Sequence, residues 1–161
     1  MGLDMYLTKK SYVKNWNHRP DSEKFEITVN KGGNPFDVIR PERISYIEEE
    51  VGYWRKANHI HNWFVENVQD GNDDCKEYYV GTDDLLNLLE TCKRVKEDNS
   101  LAESLLPTKS GFFFGDTTYD EYYYQDIDTT IQIIETLLSE KVKDETGRES
   151  YTGDIYYTSS W

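Results

Sequence analysis

Residues 49–68 read EEVGYWRKANHIHNWFVENV. At about 100° per residue, the apolar side chains of this stretch fall on one face of a helix. They are Tyr53, Ala57, Ile60, Phe64 and Val68. The pattern predicts an amphipathic helix over 49–68, which the turn residues of the following DGNDD segment (70–74) would end.

Two more helices are predicted further along the chain. Thr82 is expected to cap a helix that runs to about Lys96, with acids at its positive end. A third helix is predicted from about Gln125 to Lys143, because apolar residues recur there at helical spacing. These residues are Ile127, Ile131, Ile134 and Leu138.

Short apolar or alternating segments predict the strands. They are residues 2–8, 25–29, 44–47, 78–80, 111–115 and 154–157, with Phe112–Phe114 expected in the core. Polar loops are expected at 9–23, 30–35 and 144–153. Together the segments predict an α+β fold, with an antiparallel sheet of several short strands and about three helices packed on it. The length of 161 residues favours a single domain over 1–161.

The charge balance limits the classes of partner. The chain has 18 Lys and Arg against 31 Asp and Glu, a formal net charge of −13. Generic nucleic-acid binding and an anionic membrane surface are therefore disfavoured, because both need a cationic surface. No apolar run is long enough for a membrane span, and Asp4 interrupts any secretory signal at the N-terminus. The two cysteines show no redox spacing, and nothing in the sequence predicts a cofactor.

Several segments together resemble a family of small, uncharacterised bacteriophage and prophage proteins. They are MGLDMYL (1–7), VGYWRKANHIHNWF (51–64), DGNDDC (70–75), LPTKSGFFFG (106–115), YDEYYY (119–124) and YTSSW (157–161). The resemblance implies a phage-type accessory protein that acts in the cytoplasm of a bacterial host cell. Genes of this class often block host defence by sequestering a signal or capping a protein.

Acidic residues are missing from three windows, 5–20, 51–65 and 104–115. Each window combines cationic or neutral hydrogen-bond donors with aromatic residues. A nucleotide-like ligand needs both, donors for its phosphate and a ring face for its base.

The leading hypothesis is therefore a protein that binds a small anionic, nucleotide-like ligand without turnover. On the predicted 49–68 helix, Arg55, Asn58 and Asn62 share a narrow sector with His59 beside it. Arg55 and Lys109 would neutralise phosphate, while Asn58, His59 and Asn62 would hydrogen-bond the polar edges of the ligand. Trp54 or Trp16 would stack on a ring, and a homo-oligomer could form the pocket between subunits.

Two alternatives remain open. An acidic, Tyr-rich surface around Asp120 and Glu121 could mimic a phosphate backbone and inhibit a host protein that has a basic groove. A small nucleotide hydrolase could instead use His59 as its acid–base residue. No metal site is expected, because His59 and His61 would point about 200° apart on a helix.

Overall fold

The computed structural model describes residues 1–144, 146–151 and 153–161. The fold is α+β, as predicted, and its main element is a four-stranded antiparallel sheet. The strands are β1 (Asp4–Tyr12), β2 (Asn30–Lys31), β3 (Asn34–Pro35), β4 (Tyr46–Arg55), β5 (Tyr78–Val80), β6 (Lys141–Lys143), β7 (Glu149–Tyr151) and β8 (Gly153–Ser160). The helices are α1 (Asn58–Asn67), α2 (Thr82–Glu97), α3 (Ala102–Leu105) and α4 (Glu121–Ser139). The main sheet has the order β4-β1-β8-β5, and β2-β3 and β6-β7 form two small hairpins.

β1 lies inside the main sheet and supplies one wall of the core. Its inward side chains include Met5 and Leu7, and the alternation of buried residues continues through Lys9 to Ser11. The prediction ended this strand at residue 8, because Lys9 reads as a loop residue. The Lys9 ammonium is buried in an ion pair with Glu140, at 2.9 Å, so the charge does not prevent burial.

The predicted helix over 49–68 is wrong in its first half. Residues up to Arg55 belong to β4, which pairs with β1, and the helix begins only at Asn58. Tyr53 and Trp54 therefore sit on opposite faces of a strand, exposed and buried respectively. Pairing with the central strand outweighs the helical spacing, and the aromatic and β-branched residues of this stretch suit a strand.

α2 and α4 confirm two predicted helices but correct their ends. The cap of α2 is Gly81, whose N–H donates to the Asp84 carboxylate at 2.9 Å, and Thr82 is the first helical residue. α4 begins at Glu121 because the Asp120 carboxylate accepts from the Tyr123 N–H. It ends at Ser139, since Lys141–Lys143 pair with β7. The predicted loop over 144–153 therefore contains β7, and its residues 145 and 152 lie outside the described ranges.

Of the remaining strand predictions, two are confirmed and the others are wrong in whole or in part. Tyr78–Val80 is confirmed as β5, and the predicted 154–157 strand lies within β8. Residues 25–29 form no strand, and only the last two residues of 44–47 belong to β4. Residues 111–115 form no strand, since 112–114 form a turn, and of the three phenylalanines Phe114 is 8% exposed whereas Phe112 is 95% exposed. The glycines on both sides favour a turn there over a paired strand.

The hydrophobic core lies between the main sheet and the helices. α2 packs against α4, and α4 also contacts β4. The buried apolar residues that join these elements include Leu7, Phe64, Leu88, Ile134 and Tyr157. Among the described residues, no helix combines the length and apolar character needed to cross a lipid bilayer.

Candidate functional site

A cleft of about 450 Å³ opens where the end of β4, the start of α1, the 106–120 loop and the start of α4 meet. Its cationic lining residues are Arg55 and Lys56, and its acidic ones are Asp116, Asp120 and Asp126. Asn58, His59, Tyr122 and Tyr123 also line it. Pockets that bind small molecules are typically about 300–1,000 Å³, so the cleft is of a suitable size.

Lys56 forms the joint between β4 and α1. Its backbone has a φ of 58°, in the left-handed region that residues other than glycine rarely adopt. The Lys56 N–H donates to the Leu3 carbonyl at 2.8 Å. The side chain of Lys56 packs closely against Gly115, because a Cβ added at Gly115 would lie only 3.1 Å from the Lys56 Cβ. The ammonium has no hydrogen bond or ion pair within the described ranges. Strained backbone of this kind concentrates at functional sites.

Asn58 is buried and fastens the loop to the start of α1. Its Nδ2 donates to the carbonyls of Phe114 and Asp116, at 3.0 and 2.8 Å. Its Oδ1 accepts from the Lys109 N–H at 2.8 Å. The side chain uses its amide on the protein's own backbone, so its role is to shape the cleft.

His59 forms a buried wall of the cleft. The residue is 3% exposed, and its ring stacks on the Tyr123 ring with the centroids 4.1 Å apart. Burial lowers the pKa of His59 to about 4, so the imidazole is neutral at pH 7. Its Nε2 finds no hydrogen-bond partner among the described residues.

Asp126 also lines the cleft, in the second turn of α4. Burial raises the pKa of this half-buried carboxyl to about 7, and the charge of Asp120 adds to the shift. In the part of the chain that the structure describes, the carboxyl has no hydrogen bond or ion pair. Partial burial without a partner disfavours the ionised form, and a bound molecule that donates to the carboxyl would offset that effect.

Tyr122 presents an open aromatic face beside Asp126. It is 73% exposed, and no ring among the described residues contacts it. Tyr122 and Asp126 are four residues apart on α4, so their side chains are neighbours on one helix face. A flat ring on Tyr122 would therefore place its edge near the Asp126 carboxyl.

The structure separates the residues that the sequence grouped. Arg55 lines the cleft, where its guanidinium also pairs with Asp4 at 3.2 Å. Trp54 is a core residue whose Nε1 donates to Thr130 Oγ1, and Trp16 contacts Tyr12 and Lys14 outside the cleft. Asn62 and Lys109 do not line the cleft, although the Lys109 backbone helps to build it. The predicted sector of Arg55, Asn58 and Asn62 does not form, because Arg55 ends a strand and the helix begins three residues later.

Sequence reasoning missed Lys56, Tyr122 and Asp126. A left-handed φ at a lysine carries no sequence signal, because the usual marker of that conformation is glycine. Tyr122 and Asp126 fall in the acidic, Tyr-rich segment around Asp120 and Glu121, which the sequence suggested as a mimic of a phosphate backbone. The i, i+4 spacing of an aromatic and an acid was the one available clue.

The two neighbouring histidines have different surroundings. Nδ1 of His61 lies 2.7 Å from the Tyr157 hydroxyl, and its Nε2 lies 3.0 Å from the Asp73 carboxylate, away from His59. Within the described ranges, no group of three or more His, Cys, Asp or Glu side chains is placed to hold a metal ion.

Comparison of the chain with protein-family models, with curated proteins and with solved structures found no match.

Proposed function

We propose that the cleft binds a small anionic, nucleotide-like ligand. The observation that carries the proposal is the placement of an unpaired Lys56 ammonium and an open Tyr122 ring in one cleft. A phosphate would pair with Lys56 and Arg55, and a base would stack on Tyr122. The sequence predicted that Trp54 or Trp16 would stack on the ring of the ligand. In this proposal Tyr122 stacks on it instead.

Support for the anion subsite comes from the way Lys56 is held. Its backbone adopts a costly conformation, yet its charge contacts no acid of the described chain. Arg55 stands next to it, at the end of β4. The two adjacent cations form a local cationic group, in a protein of net charge −13 and in a cleft that Asp116, Asp120 and Asp126 also line.

The test is binding of a panel of nucleosides, mononucleotides and 3′,5′-cyclic nucleotides, measured by thermal shift and by calorimetry. At least one phosphorylated compound should raise the melting temperature more than its nucleoside does. Lys56→Gln should weaken that binding at least about tenfold, because it removes a charge-assisted hydrogen bond.

Lys93→Gln is the matched control, since Lys93 pairs with Glu135 outside the cleft. Equal losses in the two variants, or no thermal shift with any phosphorylated compound, would overturn the proposal. If binding occurs without turnover, the resemblance to phage proteins suggests that the biological role is sequestration of a host signal.

A second candidate function is a small hydrolase that uses the same cleft. It is favoured by the opposite pKa shifts of Asp126, to about 7, and His59, to about 4. A protonated carboxyl and a neutral imidazole are the forms that a general acid and a general base need. Mass spectrometry of the incubated nucleotide separates the two functions, because a binder returns the nucleotide intact.

A further inference from the structure

The lining of the cleft combines two cations with a carboxyl that lacks a partner among the described residues. The cations are Arg55 and Lys56, at the joint between β4 and α1, and the carboxyl is that of Asp126, on α4; Asp116 and Asp120 line the cleft as well. The chain does not pair Asp126 with either cation, because Arg55 contacts Asp4 and Lys56 contacts no acid of the described ranges. A complementary ligand is therefore dipolar, with an anion at one end and N–H donors at the other.

The stacking platform fixes where those donors must be. Side chains at i and i+4 on a helix have Cβ atoms about 5–6 Å apart, which is comparable to the width of a purine. A base that stacks on Tyr122 thus points one edge at Asp126. An ionised carboxylate only accepts hydrogen bonds, and its two oxygens can take two parallel N–H groups.

We propose that Asp126 makes the cleft selective for guanine over adenine. Guanine carries adjacent N–H donors on its Watson–Crick edge, at N1 and at the 2-amino group, and these match a carboxylate. The same edge of adenine offers one donor beside the N1 acceptor, which a carboxylate oxygen repels. This inference rests on the proposed function, and it adds the class of base that the site recognises.

The direct test compares 3′,5′-cyclic GMP with 3′,5′-cyclic AMP by calorimetry at pH 8. These probes carry a single phosphodiester charge that does not titrate near neutral pH. The wild type should bind cyclic GMP at least about tenfold more tightly, since a mismatched edge leaves buried polar groups unpaired.

Asp126→Asn is the decisive variant. Its amide presents one donor and one acceptor, which match adenine instead of guanine. The preference should therefore fall to one or reverse in favour of cyclic AMP. Asp128→Asn is the control, because Asp128 stands on the same helix but pairs with Lys96 and does not line this cleft; it should leave the preference unchanged.

The outcomes separate the inference from the proposed function. If neither cyclic nucleotide nor any mononucleotide binds, the proposed function fails and the inference fails with it. If both bind with equal affinity, or if Asp126→Asn keeps the guanine preference, only the inference is overturned. A melting curve of each variant shows whether it is folded before binding is compared.

The pH dependence supplies a second readout. A protonated Asp126 presents a donor and an acceptor, as asparagine does, so the guanine preference of the wild type should shrink from pH 8 to pH 6. The other titratable or charged groups that line the cleft are Arg55, Lys56, His59, Asp116, Asp120, Tyr122 and Tyr123. These groups remain in Asp126→Asn. If the guanine preference of that variant still changed between pH 8 and pH 6, the result would contradict the assignment of the pH dependence to Asp126.

Discussion

Asp126 and His59 show how one physical cause moves two side chains in opposite directions. Burial disfavours the charged form of each, so the pKa of Asp126 rises to about 7 and the pKa of His59 falls to about 4. At pH 7 His59 is therefore neutral, and Asp126 is only about half ionised. As pH rises, the contribution of Asp126 to the unfolding free energy falls, whereas that of His59 increases. Substituting each residue alone should reveal its contribution separately.

Asp126→Asn should stabilise the protein at high pH. The folded pKa, about 7, lies above the ordinary value of 3.8, so the folded state is penalised as pH rises from about 4 to about 7. The substitution removes that penalty, and the gain should reach about 1–2 kcal/mol above pH 7, reduced because the carboxyl is partly exposed. Urea unfolding at pH 4, 6 and 8 measures it. A gain that does not vanish near pH 4 would contradict this account.

His59→Gln should remove an acid-dependent loss of stability. The folded pKa of His59, about 4, lies below the ordinary 6.5, so the wild type keeps this contribution above about pH 6.5 and loses it as pH falls toward 4. The difference in unfolding free energy between wild type and variant should therefore shrink by about 2–3 kcal/mol over that window. A difference that is constant with pH would mean that His59 titrates normally.

At the scale of elements, the joint between β4 and α1 creates the site. The strand ends at Arg55, Lys56 turns the backbone through a left-handed conformation, and α1 begins at Asn58. Asn58 then binds three backbone groups of the 109–116 loop. The cleft thus depends on a loop that the Asn58 amide fastens to α1, beside a hydrogen bond from the Leu3 N–H to the Phe113 carbonyl.

Asn58→Asp should destabilise the protein and loosen this loop. A carboxylate cannot donate to the carbonyls of Phe114 and Asp116, so a buried charge would face two acceptors. The expected cost is about 3 kcal/mol by chemical denaturation, with faster hydrogen exchange at the Lys109 N–H. Asn62→Asp, one turn further along α1 and without a hydrogen bond to a described residue, should cost less than about 1 kcal/mol.

The predicted helix over 49–68 shows why apolar periodicity alone does not determine secondary structure. Tyr53, Ala57, Ile60 and Phe64 fit one helical face, yet the first belongs to a strand and the last two to a helix. The fit is a coincidence. Tyr53 points outward from β4, and it happens to stand at helical spacing from Ile60 and Phe64, which do form the apolar face of α1. The prediction from Ile60 onward was right, since that part of the pattern does reflect burial.

At the scale of the whole molecule, Tyr157 in β8 and the following Trp161 contact residues that are distant in sequence. Tyr157 stacks on Phe64 at 3.9 Å, and its hydroxyl lies 2.7 Å from His61 Nδ1. Asp73 contacts His61 Nε2 and accepts from the Trp161 indole N–H. This network ties β8 to α1 and to the turn that follows it.

Tyr157→Phe should lower the unfolding free energy by about 1–3 kcal/mol, because it keeps the stacked ring and leaves His61 Nδ1 buried without its partner. Tyr156→Phe is the control. Its hydroxyl makes no hydrogen bond to a described residue, and its contacts with Tyr79 and Lys10 involve the ring. Equal effects of the two substitutions on urea unfolding would show that the His61 network contributes nothing.

The sequence by itself determined the fold class, the helices α2 and α4, the strand β5 and the inward face of β1. These features follow from local signals, namely apolar periodicity and capping residues, which act over a few residues. It also grouped Arg55 with His59, because cations and aromatics cluster where acids are absent, and both residues line the cleft.

Only the tertiary structure decided that residues 46–55 form a strand, since a partner strand satisfies the backbone there. It also decided that Lys56, Tyr122 and Asp126 share a cleft. Lys56 lies more than 60 positions from Tyr122 and Asp126 in the sequence, so no local pattern links it to them. Their proximity follows from the packing of α4 against β4, and burial in that packing sets the chemistry of the carboxyl and the imidazole.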